Sequence, residues 1–475
     1  MKNFNSWTKA CCLFLLSTAI TLPAQTFNRL HSFDGIDGSN SQAALVQATD
    51  GNLYGSAPYG GANSDGTIFK ISTSGAFTLL HSFDGTDGAN PWNVPVQAPD
   101  GNFYGTTYYG GEGPLCEGGC GSVYKSTSAG TVNTLHSFNG TDGTSPQAGL
   151  VLGSGGDLYG ATLYSGPSGY GTVFSIDTSG DFSTLHSFTD RVDGGGPYPA
   201  MIQATDGNFY GVTYTGGAHR EGTVFQMTPT GTVTTIYAFC RDQNVCVDGA
   251  EPVGGLVEGN DGNLYGTTAH GANQICGCGT IFRITLSGTL TTLHTFSGAD
   301  GKEPGTRLLL ASDGNFYGVT GFGGSNNCRL GCGTIFSITS TGTFTQLYDF
   351  CTTGGCASGS NPTAGLIQDT NGTFYGTTAE GGAHQDGVVY SFSMGLGPFV
   401  ETQTSSGAVG TSVVILGTNL TGSTGVTFNG TPATFTVVSS SEITATVPAG
   451  ATTGTVVVTL PSGTLSTNVN FQVTP

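Results

Sequence analysis

The segment Asp50-Gly51-Asn52-Leu53-Tyr54-Gly55 decides the fold of this chain, because it returns with small changes along most of the sequence. Its tyrosine recurs seven times, with gaps of 50, 55, 51, 55, 52 and 58 residues, at Tyr54, Tyr104, Tyr159, Tyr210, Tyr265, Tyr317 and Tyr375. The same units surround each tyrosine in the same order. A period of about 50 residues is typical of repeat architectures in which each repeat is one supersecondary unit.

Each repeat contains four short segments that have the composition of strands. In the first repeat they are Ala44–Gln47, the tyrosine segment, Gly66–Ile71 and Thr78–Phe83. They are rich in β-branched and aromatic residues and are bounded by glycine, which favours strands joined by turns. Seven repeats of four strands predict an all-β fold, a seven-bladed β-propeller over residues 26–396.

The two ends of the repeat region complement each other. The segment Phe27–Phe33 has the sequence of a fourth strand but no repeat precedes it, and the seventh repeat stops at its third strand, Val388–Phe392. We therefore expect the N-terminal strand to complete the last blade. Closure of this kind removes exposed sheet edges, whereas a solenoid would leave two ends open.

The repeats resemble the bacterial Gloeo/Verruco (GloVer) tandem-repeat family, of the choice-of-anchor type. Four segments carry the resemblance, which covers roughly residues 27–396: Gly365-Leu366-Ile367-Gln368, Asp206-Gly207-Asn208-Phe209-Tyr210-Gly211, Tyr109-Gly110-Gly111 and Gly279-Thr280-Ile281-Phe282. The family is defined by its repeats, so the resemblance implies no particular activity and no catalytic residues.

The periodicity changes after Gly397, and residues 397–475 contain about seven short alternating strands without cysteine. That pattern predicts an immunoglobulin-like β-sandwich. The region resembles the IPT/TIG domain through Gly417-Thr418-Asn419-Leu420, Val426-Thr427-Phe428-Asn429-Gly430 and Ile443-Thr444-Ala445-Thr446-Val447-Pro448. The resemblance implies a spacer or an adhesion module. DNA contact is disfavoured because the region contains no Lys or Arg.

The first 24 residues have the order of a secretory signal peptide, with Lys2 and Lys9 before the apolar run Ala10–Leu22. The run is too short to span a bilayer, and we expect no membrane span. We expect a bacterial protein that is secreted, periplasmic or held at the cell surface. Its net charge of −19 argues against nucleic acid as a partner. The anchoring route and the oligomeric state stay open.

Ten cysteines follow the signal segment, and an even number in an exported chain predicts disulfides. They form five close pairs: Cys116 with Cys120, Cys240 with Cys246, Cys276 with Cys278, Cys328 with Cys332, and Cys351 with Cys356. Whether Cys276 and Cys278 pair with each other stays open, because one intervening residue would strain the bridge. A zinc site is disfavoured because the pairs lie in different repeats.

Function is expected on one face of the propeller. The connections from second to third strand and from fourth to first strand are long, and they contain all five cysteine pairs. Loops on a rigid scaffold are where binding residues concentrate. Candidate ligand-binding residues in these loops are Tyr59, Trp92, Tyr109, Tyr164, Tyr198, His270, Phe322 and Glu380. Aromatic rings there could stack on sugars, or could only cover the ends of the blades.

Acidic residues in the same loops offer a second candidate site. Asp34, Asp37, Asp84, Asp87, Asp142 and Asp300 lie in Asp-Gly turns or near forms of them. Carboxylates at this spacing could hold calcium, but Asp and Gly are also ordinary turn residues. No other cofactor is predicted.

The sequence leans against an enzyme, because no nucleophile elbow, zinc-protease motif or phosphate loop is found. The histidines of Leu-His-Ser-Phe, such as His31, alternate with tyrosine between repeats, which favours a packing role. The leading hypothesis is a secreted binding protein whose loop face recognises an extracellular glycan or protein. One alternative is a polysaccharide lyase or hydrolase with acids drawn from Glu112, Glu221, Glu380 and Asp386. The other is a structural envelope component.

Overall fold

A computed structural model describes residues 25–111, 116, 118–242, 245–271, 277–324, 327–352 and 354–474. The predicted signal peptide, Glu112 and Cys276 lie outside these ranges. Within them every regular element is a β-strand, so the fold is all-β. No helix capable of crossing a bilayer occurs in this described part of the chain.

Twenty-eight strands form seven antiparallel sheets of four strands each. The first strand of the chain is β1 (Thr26–Ser32). Sheet 1 contains β2 (Val46–Gln47), β3 (Leu53–Ala57), β4 (Thr67–Ile71) and β5 (Phe77–Ser82). Sheet 2 contains β6 (Val96–Gln97), β7 (Phe103–Thr107), β8 (Ser122–Ser126) and β9 (Val132–Ser137). Sheet 3 contains β10 (Val151–Leu152), β11 (Leu158–Thr162), β12 (Thr172–Ile176) and β13 (Phe182–Ser187).

The remaining four sheets repeat this order. Sheet 4 contains β14 (Ile202–Gln203), β15 (Phe209–Thr213), β16 (Thr223–Met227) and β17 (Val233–Ala238). Sheet 5 contains β18 (Val257–Glu258), β19 (Leu264–Thr268), β20 (Thr280–Ile284) and β21 (Leu290–Thr295). Sheet 6 contains β22 (Leu309–Leu310), β23 (Phe316–Thr320), β24 (Thr334–Ile338) and β25 (Phe344–Asp349). Sheet 7 contains β26 (Ile367–Gln368), β27 (Phe374–Thr378), β28 (Val388–Ser393) and β1.

The expected closure by the N-terminal strand is present. Strand β1 pairs antiparallel with β28, in a register that sets Phe27 opposite Phe392 and Ser32 opposite Val388. The strand therefore occupies the place in sheet 7 that a fourth strand occupies in the other six sheets. The first and last segments of the repeat region are held in one sheet.

The recurring tyrosine lies between neighbouring sheets. The ring of Tyr54 in sheet 1 stacks on Phe103 in sheet 2 at 4.2 Å, and both side chains are buried. A Cβ on the glycine after this tyrosine, Gly55, would lie 2.6 Å from the Phe69 ring, so only glycine fits. The hydroxyl donates to Asp50 in the preceding turn at 2.9 Å. The motif thus combines a tight turn with the packing of two sheets.

A second repeated contact joins sheets at their first strands. Gln97 of sheet 2 accepts a hydrogen bond from the Thr49 backbone amide of sheet 1, at 3.0 Å. Gln47 of sheet 1 makes the equivalent contact to Thr370 of sheet 7, at 2.9 Å. Sheet 7 therefore meets sheet 1 as sheet 1 meets sheet 2, and the seven sheets form a closed ring.

The histidines of Leu-His-Ser-Phe take part in the same inter-sheet packing. His136 in sheet 2 stacks on Phe182 of sheet 3 at 3.8 Å, and His31 in sheet 7 stacks on Phe77 of sheet 1 at 3.9 Å. In sheet 6 the equivalent Tyr348 stacks on Phe27 at 4.5 Å. A flat ring with a polar edge satisfies this position, which confirms the predicted packing role.

Residues beyond the ring form a β-sandwich. One sheet contains β29 (Glu401–Thr402), β31 (Ser412–Leu416), β35 (Glu442–Thr446) and β34 (Phe435–Val437). The other contains β33 (Thr431–Pro432), β32 (Gly425–Phe428), β36 (Val456–Leu460) and β37 (Gly463–Ser466). Strands β30 (Ser406–Ala408) and β38 (Gln472–Thr474) pair in parallel. Buried side chains of both sheets, such as Ile415 and Val458, share one core.

The sandwich is docked on the ring. The Ser441 hydroxyl donates to the Thr49 carbonyl at 2.6 Å, and the Asn468 amide donates to the Leu310 carbonyl at 2.9 Å. Thr370 in the first turn of sheet 7 bonds Thr418 through the hydroxyls at 3.0 Å. These contacts involve sheets 6, 7 and 1, at or beside their first turns.

An axial cavity as candidate functional site

The ring encloses a cavity on its axis. Its volume is about 480 Å³, and all seven sheets or the loops before them contribute to its wall. The residue two positions before each first strand lines it in every repeat: Ala44, Val94, Gly149, Ala200, Gly255, Arg307 and Gly365. Equivalent residues of seven sheets meet in one space only if the sheets surround a common axis. The cavity is therefore a product of ring closure.

Four of the predicted ligand-binding residues line this cavity. They are Trp92, Tyr198, His270 and Phe322, which come from different loops of the repeat region. Tyr198 accepts a hydrogen bond from Gln147 at 2.9 Å, which fixes the ring against the wall. The Tyr214 ring, 6.3 Å from Tyr198, also lines the cavity and was not singled out from the sequence.

The other four predicted residues lie outside the lining. Tyr59, Tyr109 and Tyr164 are 40%, 46% and 53% exposed, and Glu380 is exposed as well. Each forms a single backbone bridge to the preceding long loop, as do His270 and Phe322; for example, Tyr59 pairs with Ser39. Tyr59 also contacts Trp92 edge-on at 5.5 Å, so this ring supports a cavity residue. Ligand binding by these eight residues stays a prediction.

Two carboxylates that the sequence analysis passed over face the cavity, Glu251 and Glu303. The Nε2 atom of His270 lies 3.3 Å from Oε2 of Glu251. Burial and a hydrogen bond to Glu251 raise the pKa of Tyr214 to about 12. Glu303 pairs with the neighbouring Lys302 at 3.4 Å. A carboxylate, an imidazole and a phenol are thus grouped at one side of the cavity.

The backbone at both glutamates is left-handed. The equivalent residue of each repeat has φ between 53° and 61°: Asn40, Asn90, Ser145, Gly196, Glu251, Glu303 and Asn361. Glycine and asparagine tolerate this conformation, whereas glutamate does so at a cost of about 1 kcal/mol. Strained residues cluster at functional sites, so these two glutamates are candidates for a functional role.

The acids named at the outset lie elsewhere. Glu221, Glu380 and Asp386 do not line the cavity, and Glu112 falls outside the described residues. The Asp386 carboxylate accepts a hydrogen bond from Ser39 at 2.7 Å, between sheets 7 and 1. The cavity acids were missed because Glu251 and Glu303 stand where other repeats carry Asn, Ser or Gly. That difference within an aligned repeat was the signal available in the sequence.

The inner end of the cavity carries a cation. Arg307 is open to the cavity, and the surrounding protein lowers the pKa of its guanidinium. The charge of Glu401 in strand β29 acts on it from the docked sandwich. Asp369, at the end of β26, is 2% exposed, and its burial raises its pKa to about 6.

The aspartates predicted to bind calcium accept hydrogen bonds from their own loops. Oδ2 of Asp37 lies 2.7 Å from the Nε2 atom of His31, and its Oδ1 accepts the Asp34 amide at 3.0 Å. Asp84 accepts the Thr86 hydroxyl and amide, and these bonds lower the pKa of Asp84. Asp87, Asp142 and Asp300 contact His81, His136 and His294 in the same way. These contacts show a turn-stabilising role, and calcium stays a prediction.

Four of the five predicted disulfides are present: Cys116–Cys120, Cys240–Cys246, Cys328–Cys332 and Cys351–Cys356. The fifth pair includes Cys276, which lies outside the described residues. Two bridges from neighbouring repeats meet, with Sγ atoms of Cys328 and Cys356 4.0 Å apart. The sulfur atoms of these two bridges lie within 4.8 Å of one another. Within the described ranges, no other group of three or more His, Cys, Asp or Glu side chains lies this close together. Neighbouring loops thus bring two disulfides side by side, and their bonded sulfurs offer no thiolate to a metal.

The repeats place the chain among known proteins. The model of the Gloeobacter/Verrucomicrobia repeat family matches residues 17–118, 73–247 and 202–436, which together cover residues 17–436. The chain belongs to this family. No curated protein sequence is detectably similar to this family member.

Solved structures resemble the family member in fold. Virginiamycin B lyase from Staphylococcus aureus is 15% identical with a TM-score of 0.50, over 78% of this chain and 99% of the lyase. A fungal alcohol oxidase of the AA5 family, in complex with copper, is 12% identical with a TM-score of 0.51, over 95% of this chain and 99% of the oxidase. At such identities the likeness establishes a propeller-like fold and nothing about activity.

Proposed function

We propose that this family member is an exported bacterial protein that binds an extracellular carbohydrate in its axial cavity. In this proposal residues 1–24 direct export, residues 26–396 form a seven-bladed β-propeller, and residues 397–475 form an IPT/TIG immunoglobulin-like spacer or partner contact. The closed ring of seven sheets and the docked sandwich support this division. The protein is secreted, periplasmic or held at the cell surface.

The observation that carries the proposal is the composition of the cavity wall. Aromatic rings of Trp92, Tyr198, Tyr214 and Phe322 line a space that also holds Glu251 and Glu303. Sugar rings present apolar C–H faces that pack on aromatic rings, while their hydroxyls donate to carboxylates. A volume of about 480 Å³ falls within the range of small-ligand sites and accommodates a short oligosaccharide.

The proposal is tested with the purified mature chain on a glycan array, followed by calorimetric titration of the ligands found. Trp92→Ala and Tyr198→Ala should each weaken binding about tenfold or more, because each removes a stacking surface. Tyr170→Ala is the matched control, since this tyrosine is 44% exposed and outside the cavity lining. Binding by wild type that survives both cavity substitutions would refute the assignment of the site.

A polysaccharide-active enzyme is the second candidate, favoured by the contact of 3.3 Å between His270 and Glu251 beside Tyr214. Such a group can move protons during glycoside cleavage or elimination. A screen of polysaccharides for new reducing ends or unsaturated products separates the two functions. Product formed by wild type and lost in His270→Ala would establish catalysis, and binding without product would exclude it for the substrates used. A protein that neither binds nor cleaves would instead be a structural envelope component.

A further inference from the structure

One of the seven equivalent cavity-lining positions carries a different kind of residue from the other six. Six carry small apolar residues or glycine, namely Ala44, Val94, Gly149, Ala200, Gly255 and Gly365, and the seventh is Arg307. Arg307 is also the only lysine or arginine among the lining residues. The chain has 12 basic residues against 31 acidic ones, so a basic side chain on the axis is an exception to its composition.

The neighbours of Arg307 leave room for its side chain. A Cβ at Gly255 would lie 3.5 Å from the Arg307 Cβ and 3.6 Å from its Cδ. A Cβ at Gly365, on the other side, would lie 3.4 Å from the Arg307 carbonyl oxygen. An alanine in either flanking repeat would thus stand in ordinary van der Waals contact with Arg307, and glycine places no side chain there.

The guanidinium has no close partner in the described part of the chain. Among described residues no carboxylate forms an ion pair with it within 4.0 Å, although the charge of Glu401 acts on it from the sandwich side. A guanidinium without a protein carboxylate beside it can form paired hydrogen bonds with an anion that enters the cavity. Arg307 is one of the residues that line the cavity.

We propose that Arg307 binds the anionic group of an acidic sugar, so that the cavity selects saccharides with a carboxylate or sulfate at the end that enters first. This inference rests on the proposed carbohydrate function and specifies its ligand class. The planar guanidinium matches both kinds of anion through two parallel hydrogen bonds. Glu251 and Glu303 accept hydroxyls and disfavour a second anionic group beside them. One acidic unit, oriented inward, is the ligand that satisfies both charges.

The experiment is a calorimetric titration of the full mature chain with three disaccharides of the same linkage: a galacturonosyl-galactose with one carboxylate, a galactobiose, and a galactobiose with one sulfate. We expect wild type to bind at least one acidic disaccharide ten times more tightly than galactobiose. Arg307→Gln should remove that preference, and Arg307→Lys should keep part of it. Tyr170→Ala, an exposed position outside the cavity lining, is the control that should preserve the preference.

The outcomes separate this inference from the proposal it extends. Tight binding of galacturonosyl-galactose identifies a carboxylate ligand, and tight binding of the sulfated sugar identifies a sulfate ligand. Equal binding of acidic and neutral disaccharides by wild type overturns the role of Arg307 while the carbohydrate function stands. Preference retained in a folded Arg307→Gln protein overturns it as well. If wild type binds no saccharide, both the carbohydrate function and the role of Arg307 are refuted.

Discussion

Glu251 and Glu303 hold a backbone conformation that their side chains do not favour. Their φ angles are 53° and 54°, close to those of Asn40 and Asn90 at equivalent positions. The amide of Glu251 donates to the Glu221 carbonyl at 3.0 Å, just as Asn40 donates to Asp386 at 2.8 Å. The loop geometry is thus fixed by the repeat, and it keeps these glutamates left-handed despite their cost.

Replacing these glutamates with asparagine should separate stability from binding. Glu251→Asn and Glu303→Asn are each expected to raise the free energy of unfolding by about 0.5–1 kcal/mol, because asparagine tolerates positive φ better. Both should weaken saccharide binding, because a carboxylate acceptor leaves the cavity. Urea unfolding and calorimetric titration measure the two effects. Ser145→Asn, at the equivalent position of the third repeat, is the control that should leave affinity unchanged.

Asp369 also departs from the residue type that the other repeats carry at its position. The equivalent positions carry Ala48, Ala98, Gly153, Ala204, Gly259 and Ala311. Its Oδ1 accepts the Asn371 amide at 2.8 Å, but its buried Oδ2 has no hydrogen-bond partner in the structure. An ionised carboxylate in that place is costly, which is the physical reason for its raised pKa.

The buried carboxylate predicts a pH-dependent stability difference. The pKa of Asp369 is raised from 3.8 to about 6, so ionisation of its carboxyl destabilises the folded state by up to about 3 kcal/mol. The full destabilisation is present above pH 6, and it disappears below pH 4 because the carboxyl is then protonated in both states. Asp369→Ala should therefore be more stable than wild type by about 1–3 kcal/mol at pH 8, and the advantage should vanish toward pH 4. Urea unfolding at four pH values measures it. A difference that does not change with pH would contradict the buried charge.

At the scale of elements, β1 is the strand on which closure depends. Its Phe27 ring stacks on Tyr348 of sheet 6 at 4.5 Å and on Tyr390 of its own sheet at 5.1 Å. The side chains of Leu30 and His31 face sheet 1, where His31 stacks on Phe77. One strand therefore connects sheet 7 with both of its neighbours.

Phe27→Ala should destabilise the ring. We expect a loss of about 2–3 kcal/mol in the free energy of unfolding, less than for a fully buried phenylalanine because Phe27 is half-buried. Denaturant unfolding followed by tyrosine fluorescence measures it. Asn28→Ala on the same strand is exposed and should change stability by less than about 0.5 kcal/mol. Equal effects of the two substitutions would show that the ring does not depend on this packing.

Elements of this molecule were predictable from sequence because their signals are local and are repeated seven times. The Asp-Gly turn, the tyrosine and the glycine after it specify a hairpin and its packing within six residues. The cavity was harder to predict. Glu251 and Arg307 meet Ala44 only when the ring closes, and no spacing along the chain encodes that approach. In the sequence, Glu251 and Arg307 are recognisable only because they differ from the residues at equivalent positions of most other repeats.

At the scale of the whole molecule, the sandwich covers the end of the ring opposite the long loops. It bonds carbonyl groups of Thr49 and Leu310 in sheets 1 and 6, and Glu401 approaches Arg307 from that side. The loop face is therefore the side from which the proposed ligand would enter. The position of the sandwich was not encoded in any motif, since the contacts are single hydrogen bonds between distant segments.

Charge placed in this interface should uncouple the sandwich from the ring. Ser441→Asp combined with Asn468→Asp sets two carboxylates against carbonyl oxygens and removes two hydrogen bonds. Each lost hydrogen bond should weaken the contact between sandwich and ring by about 1–3 kcal/mol. We expect wild type to unfold in one calorimetric transition and this double variant to unfold in two. Val438→Asp combined with Val469→Asp, at exposed positions of the same module, should keep one transition. A single transition in both variants would show that the two parts unfold together without these contacts.

Pairing of β1 with β28 has a consequence for biosynthesis. The opening strand leaves the ribosome more than 350 residues before its partner, so it stays without that partner for most of translation. Any product that terminates before Val388 retains unpaired strand edges, which invite aggregation and proteolysis. The late arrival of β28 thus acts as a check on chain completeness, since only full-length repeat regions can hide their first strand from cellular proteases.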